Sequence, residues 1–259
     1  MFIASLVLGL VEGITEFLPI SSTGHLILTQ SILKIQSTEF WKTFDIFIQL
    51  GAILAVVILY WKKVLQSRQL FKKILIAFLP TAIIGLIAYK IIKKILLGND
   101  LIVLISLFIG GWLIIYFEKW YSRKKVSMEK LTKLEDISTL QALKIGLFQT
   151  LAMIPGVSRS GATILGGLFL GIERQAIVEF SFLLAVPTMT AATGLDLFKS
   201  GLNISPDQWQ YMLIGFFASF LTALLAIKFL INYVRLNNFK IFGWYRIIVA
   251  LIGFLILFY

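Results

Sequence analysis

The sequence contains no cysteine and a single histidine, and only 14% of its 259 residues are charged. The missing cysteines exclude disulfides and thiolate metal sites. The single imidazole places any histidine chemistry on His25. The scarcity of charge, beside 59% hydrophobic residues and a mean hydropathy of +0.92, excludes a soluble domain of this size and predicts an integral membrane protein. The N-terminus has no basic segment and no small-residue cleavage motif ahead of its first polar stretch, which predicts no signal peptide. The net charge of +11 is read as the Lys and Arg excess of cytoplasmic loops beside anionic lipid, and predicts no nucleic-acid partner.

Six apolar runs, at 44–61, 74–89, 101–117, 177–198, 208–227 and 241–258, are long enough to span a hydrocarbon core of about 30 Å. Pro80 and Pro187 are expected to kink two of them. Two further apolar stretches, 2–33 and 139–171, are broken in the middle by Pro19-Ile-Ser-Ser-Thr-Gly24 and Pro155-Gly-Val-Ser-Arg-Ser-Gly161. Neither half of either stretch is long enough to cross, and irregular backbone at membrane depth must be buried in protein or line a wet cavity. Both are therefore predicted to be re-entrant helical hairpins.

The broken stretches resemble each other. LGLVEGITEFLPISSTGHLIL (8–28) aligns without gaps on IGLFQTLAMIPGVSRSGATIL (145–165), pairing Gly9 with Gly146, Ser21 with Ser158 and Gly24 with Gly161. Each is followed by three predicted spans, an odd number, so the second unit would be inverted relative to the first. The predicted fold class is an all-α polytopic membrane protein with an inverted-topology repeat, six transmembrane helices and two re-entrant hairpins. The first repeat is 1–117, a cytoplasmic linker with solvated charges is 118–138, and the second repeat is 139–259. With both termini outside, loops 62–73, 118–138, 171–177 and 228–240 carry fifteen Lys and Arg. The opposite side carries six: Lys34, Lys42, Lys90, Lys93, Lys94 and Lys199. That bias supports the orientation.

The polar residues of the two breaks are the candidates for chemistry. Glu12 and Glu16 are four apart and share a helix face. Two intramembrane carboxylates repel, unless a hard divalent cation such as Mg²⁺ or Ca²⁺ lies between them. His25 is a candidate base or nucleophile, and Ser22 is the other candidate nucleophile. Ser21, Ser22 and Thr23 equally suit capping of a helix beginning near Leu26. Arg159, flanked by Ser158 and Ser160 with Thr163 one turn on, suits a phosphate at a helix N-terminus. It equally suits a buried ion pair with Glu12 or Glu16. PGVSRSG matches no nucleotide-binding loop. Carboxylates for a metal, a Ser/His pair for attack and an Arg with hydroxyls for phosphoryl oxygens together point to phosphoryl transfer on a lipid-linked phosphate. Asp45 and Gln49 are read as supporting groups or equally as interface residues, and Glu173 and Arg174 as loop charges or a salt bridge. Asp196 and Arg246 lie in or near spans without a specific role.

EGITEFLPISSTGH and PGVSRSGAT closely resemble the two signature motifs of bacterial undecaprenyl-diphosphate phosphatases of the bacitracin-resistance type. FDIFIQLGAILAV (44–56) and FSFLLAVPT (180–188) are similar to further family segments. The resemblance implies hydrolysis of undecaprenyl diphosphate to the monophosphate carrier of cell-wall synthesis. It also implies dependence on a divalent metal, a polyprenyl diphosphate substrate held among membrane lipids, and a homodimer as a plausible assembly. The site would face the periplasm from the bacterial plasma membrane. By position, the acidic motif falls on Glu12 and Glu16, the serine and histidine on Ser22 and His25, and the arginine motif on Ser158, Arg159 and Thr163. Which group attacks phosphorus stays open among Ser22, His25 and a water. The alternative is a transporter that moves the lipid phosphate across the membrane, since inverted repeats with paired broken helices serve that purpose as well.

Overall fold

Apolar sequence sets the helices, and the breaks set what they surround. The computed structural model describes residues 1–91, 99–123, 131–200 and 205–259. Lys93, Lys94 and residues 124–130 of the predicted linker lie outside the described residues, as do the side chains of Lys90 and Lys199. The described chain is helical almost throughout: α1 (Phe2–Thr15), α2 (Ser22–Ile32), α3 (Glu39–Gln66), α4 (Arg68–Ile91), α5 (Asp100–Arg123), α6 (Thr139–Thr150), α7 (Arg159–Phe169), α8 (Arg174–Ser200), α9 (Trp209–Val234) and α10 (Lys240–Phe258). Six of these, α3, α4, α5, α8, α9 and α10, are long and apolar enough to cross a membrane. They coincide with the six predicted runs. Helices α4 and α8 continue through Pro80 and Pro187.

Local signals start the helices where expected. Thr38 caps α3 by accepting the Trp41 N–H. Ser138 and Gln141 form a reciprocal capping box at the start of α6. The two broken stretches fold as the pairs α1/α2 and α6/α7. Their arms have 14, 11, 12 and 11 residues, too short to cross alone, as a re-entrant hairpin requires.

The packing is reciprocal. Helix α1 lies along α9, α6 lies along α4, and α5 lies along α10. Each hairpin is thus held by a span from the other half of the chain. Gly9 and Gly146 make both contacts close: a β-carbon at Gly9 would overlap the Gly215 carbonyl of α9, and one at Gly146 the Ala77 carbonyl of α4. Helix α8 is the central span, with 67% of its apolar window buried against 22% for α4.

The linker departs from a purely solvated stretch. Helix α5 runs on past 117 to Arg123 because Glu118 faces inward, 1% exposed. Its carboxylate takes both terminal nitrogens of Arg174 and, at 3.0 Å, the Phe239 N–H. Arg174 is therefore a half-buried partner of the buried Glu118, and it opens α8. Further on, Leu134 and Ile137 are buried, and Thr132 exchanges backbone hydrogen bonds with Gly171 and Glu173.

Substituting Gly146→Leu should force α6 and α4 apart and cost about 1–3 kcal/mol, as overpacking does. Thermal unfolding in detergent, followed by gel filtration, would show a lower midpoint. Gly194→Ala, where a β-carbon meets nothing within 4 Å, should leave the midpoint unchanged or raised. Equal midpoints for Gly146→Leu and the native protein would contradict the close approach.

Candidate active site

The two helix breaks meet at the centre of the bundle. Helix α2 begins after Ser21 at φ 69°, and α7 begins after Ser158 at φ 76°. These serines are paired in the sequence repeat, and both hold a conformation that side-chain-bearing residues rarely adopt. Such strain, on the order of 1–3 kcal/mol per residue, persists only where the surroundings over-determine the backbone. The Ser21 carbonyl accepts from His25 Nδ1 at 2.8 Å. Ser158 Oγ accepts from the Gly161 N–H at 3.1 Å, capping α7. Ser21 makes no side-chain cap of its own, so the capping predicted for the first serine cluster is found in the second.

Beyond each strained serine stands a working side chain. Ser22 Oγ donates to Glu16 Oε2 at 2.6 Å. Arg159 donates to the other Glu16 oxygen at 3.2 Å, with both side chains at most 10% exposed. One carboxylate thus joins a hydroxyl of the first hairpin to a guanidinium of the second. Arg159 is further fixed by a 2.8 Å bond to the Ser181 carbonyl and by the Phe17 ring, 5.7 Å from Cζ. Its Nε–H, buried and without a partner, is a donor to spare. A carboxylate on a serine hydroxyl can take its proton, and a guanidinium with unused donors can bind phosphoryl oxygens.

Glu12 lies one turn back on α1. It is 0% exposed, and neither carboxylate oxygen accepts a hydrogen bond. An ionised carboxylate is not stable in that state alone. Two orphaned hard oxygens beside Glu16 suit a divalent cation. Among the described residues there is no cluster of three or more His, Asp or Glu side chains, so further ligands would have to come from elsewhere.

The remaining predicted residues divide. Ser21, Ser22, Thr23, Ser158 and Arg159 line one cavity with Glu16. His25 does not line it. With Nδ1 donating to the Ser21 carbonyl, Nε2 accepts from the Tyr245 hydroxyl at 2.9 Å, and the two rings stack. Ser160 and Thr163 are buried and turned inward. Ser160 Oγ donates across the hairpins to the Leu18 carbonyl at 2.8 Å, and Thr163 Oγ1 bonds Ser181 Oγ at 2.6 Å. Asp45 accepts both of its bonds from the Gln30 amide, while Gln49 lines the cavity.

Arg246 had no role in the sequence reading. It is 1% exposed, and its nitrogens donate to the carbonyls of Pro19, Ser106, Leu107, Gly156 and Val157. The signal was present, since an arginine inside an apolar span is as anomalous as Glu12.

The cavity encloses about 670 Å³. Its lining joins the hydrogen-bonded Glu16, Ser22 and Arg159 with apolar Phe78, Leu86, Met153, Met189 and Leu195. It therefore combines an anion-binding cluster with apolar side chains of α4 and α8 in one cavity.

Residues 5–252 match the family model described as bacitracin resistance protein BacA. The undecaprenyl-diphosphatase of Aquifex aeolicus is 50% identical over 251 residues, covering 96% of this chain and 95% of that protein. That of Bdellovibrio bacteriovorus is 46% identical over 257 residues, 99% and 96% of the two chains. That of Thermus thermophilus is 45% identical over 249 residues, 95% and 94%.

Because Glu12 is buried without a partner, Glu12→Met should stabilise the metal-free protein. The melting temperature should rise by roughly 2–4 °C for each kcal/mol recovered. A lower melting temperature would mean that the carboxylate is already compensated in the native protein.

Proposed function

The chain belongs to the bacitracin resistance protein BacA family, and on that premise we infer that it is an undecaprenyl-diphosphatase. It is a multi-pass membrane hydrolase that converts undecaprenyl diphosphate to undecaprenyl phosphate and inorganic phosphate. It thereby returns the lipid carrier to peptidoglycan synthesis and supports resistance to bacitracin. The observation that carries the reading is the cavity, lined both by the joined Arg159, Ser22 and Glu16 and by apolar side chains of α4 and α8. No observation favours the transporter alternative.

The geometry supports Ser22 as the nucleophile, with the alternatives as outcomes of the test. Arg159 leaves Glu16 for the diphosphate and holds its non-bridging oxygens. Glu16 takes the Ser22 proton as Oγ bonds to the terminal phosphorus. The bond from that phosphorus to the bridging oxygen breaks, and undecaprenyl phosphate leaves with the bridging oxygen. Water then cleaves the phosphoserine, giving inorganic phosphate and restoring the serine hydroxyl. Glu12 and Glu16 would hold a divalent cation, Mg²⁺ or Ca²⁺, whose charge would offset that of the diphosphate. Ser158, Ser160 and Thr163 shape the Arg159 turn, and Ser21 and Thr23 line the approach. His25 acts through the Ser21 carbonyl, holding the turn that presents Ser22.

The two halves, 1–117 and 139–259, are read as an inverted-topology repeat whose re-entrant hairpins both reach the site. Loops 62–73 and 228–240 then face the cytoplasm, and the site opens to the periplasm from the plasma membrane.

Free phosphate released from undecaprenyl diphosphate by the purified protein tests the reaction. Ser22→Ala and Glu16→Gln should each lower kcat by about 10²–10⁴-fold. A chelator should stop release, and Mg²⁺ or Ca²⁺ should restore it. A trapped phosphoserine at Ser22 supports the attack, whereas full burst kinetics in Ser22→Ala would exclude it. His25→Asn, which can still donate to the Ser21 carbonyl, should retain far more activity than His25→Ala. If both variants were equally dead, His25 would be a proton-transfer group instead. For orientation, a membrane-impermeant maleimide applied to spheroplasts should label Lys42→Cys and spare Lys72→Cys, and the reverse pattern would invert the topology.

A further inference from the structure

Arg246 lies on α10, outside both hairpins and outside the cavity lining. Arginine carries five N–H donors and no acceptor. Here Nε reaches the Leu107 carbonyl at 3.3 Å. One terminal nitrogen reaches Pro19 at 3.3 Å and Val157 at 2.9 Å. The other reaches Ser106 at 3.0 Å and Gly156 at 2.8 Å. Every donor is used, and every acceptor is a backbone carbonyl. Among the described residues Arg246 has no ion-pair partner, so its charge is met by peptide dipoles alone.

The choice of carbonyls is what matters. Pro19 and Gly156 stand 137 residues apart and are paired with each other in the sequence repeat. Each precedes its strained serine, Ser21 or Ser158, by two residues, and Val157 precedes Ser158 by one. Ser22 and Arg159 follow those serines directly. A single rigid plane therefore fixes the first hairpin's break relative to the second's, immediately upstream of the two side chains that must meet at one phosphoryl group. Helix α5 closes the arrangement through Ser106 and Leu107. Gly110 leaves the room for the guanidinium, because a β-carbon there would overlap it.

We propose that Arg246 is the positioning residue of the site, a clamp that sets the distance between the Ser22 turn and the Arg159 turn. It touches neither substrate nor reacting atoms and acts through the two backbones. The proposal rests on the reading in which Ser22 and Arg159 serve the same phosphoryl group. Its consequences differ from those of a residue that only adds stability. Loosening the clamp leaves the cavity and Arg159 in place, so substrate still binds, but nucleophile and anion clamp no longer converge. A misplacement of about 1 Å is enough to cost on the order of 10²-fold in rate.

The test uses the full chain in lipid nanodiscs. Arg246→Lys keeps the charge but offers at most three donors from one point, and Arg246→Met removes every donor. Gly243→Ala serves as a control. Its β-carbon presses on Ile115 and the Gly111 carbonyl, disturbing the contact of α5 with α10 without touching Arg246 or removing a bond to either hairpin. Because the chain has no cysteine, nitroxide labels at Ile14→Cys and Ile154→Cys report the separation of the hairpins with no background. For Arg246→Lys we expect kcat to fall ~10²-fold with KM within about threefold, and the label distance distribution to broaden. Gly243→Ala should lower the melting temperature while keeping kcat and a narrow distribution. Near-native kcat with a narrow distribution in Arg246→Lys and Arg246→Met would overturn the clamp. So would failure of both variants to elute as folded protein when the control does, since Arg246 would then be a folding determinant of the whole bundle. The label distances do not depend on the reaction. A broadened distribution with unchanged kcat would therefore count against the Ser22–Arg159 reading and leave the clamp standing.

Discussion

Breaking a helix inside a membrane frees carbonyls that lipid cannot satisfy, and this chain breaks two helices at the same place. The guanidinium of Arg246 answers that constraint for both. It gathers the Pro19, Gly156 and Val157 carbonyls and ties them to α5 through Ser106 and Leu107. Ser160 adds a second tie by donating to the Leu18 carbonyl across the hairpins. With the carbonyls held, the backbone can turn through positive φ at Ser21 and Ser158 and start a new helix from each. The short helices then aim their N-termini at a common centre. Without those donors, the two strained turns lose the tie that fixes one to the other.

The same economy explains why the charges are where they are. A buried arginine and a buried glutamate are costly alone, and here they meet through one carboxylate that also takes the Ser22 hydroxyl. Away from the centre the protein uses ordinary solutions. Glu118 and Arg174 form a bidentate pair backed by the Tyr121 and Phe239 rings, and Lys63 pairs with Glu179. Those pairs close on themselves. The central group does not: Glu12 has no partner, and Arg159 keeps an unused Nε–H. A site with an unmatched anion and an unmatched donor is set to exchange partners, which suits a substrate that is itself an anion.

Much of this was legible in the sequence, for identifiable reasons. Hydropathy alone located the six spans, because lipid imposes the same demand on each. Proline and glycine marked both breaks, and the gapless repeat paired Ser21 with Ser158. The cost of a lone charge pointed to an ion pair of Arg159 with Glu12 or Glu16, and the pair that forms is with Glu16. The carbonyl partners of Arg246 were not legible, since any residue supplies a carbonyl and no side-chain pattern marks the acceptor. Ser160 and Thr163 read as phosphate ligands because composition gives residue types and not facing. On α7 they turn toward Leu18 and Ser181. His25 read as a candidate base or nucleophile, and its ring partner Tyr245, 220 residues away, is one that no local pattern marks. Glu118 read as a solvated charge because its partner Arg174 and the Phe239 amide belong to the other half of the chain.

The sequence repeat also shows that the two hairpins differ at the site. At the position paired with Glu12 stands Gln149, equally buried at 1% exposure. Its amide donates to Thr81 at 2.8 Å and to Thr188 at 3.1 Å. Glu16 is paired with Met153, Ser22 with Arg159 and His25 with Ala162. The first hairpin thus carries both acids, the hydroxyl and the imidazole, and the second carries the lone cation. Gln149 shows that this fold can satisfy a buried polar group one turn before the break. The orphaned oxygens of Glu12 are then not a defect that the architecture forces on its first hairpin. They are specific to the first hairpin, beside Glu16.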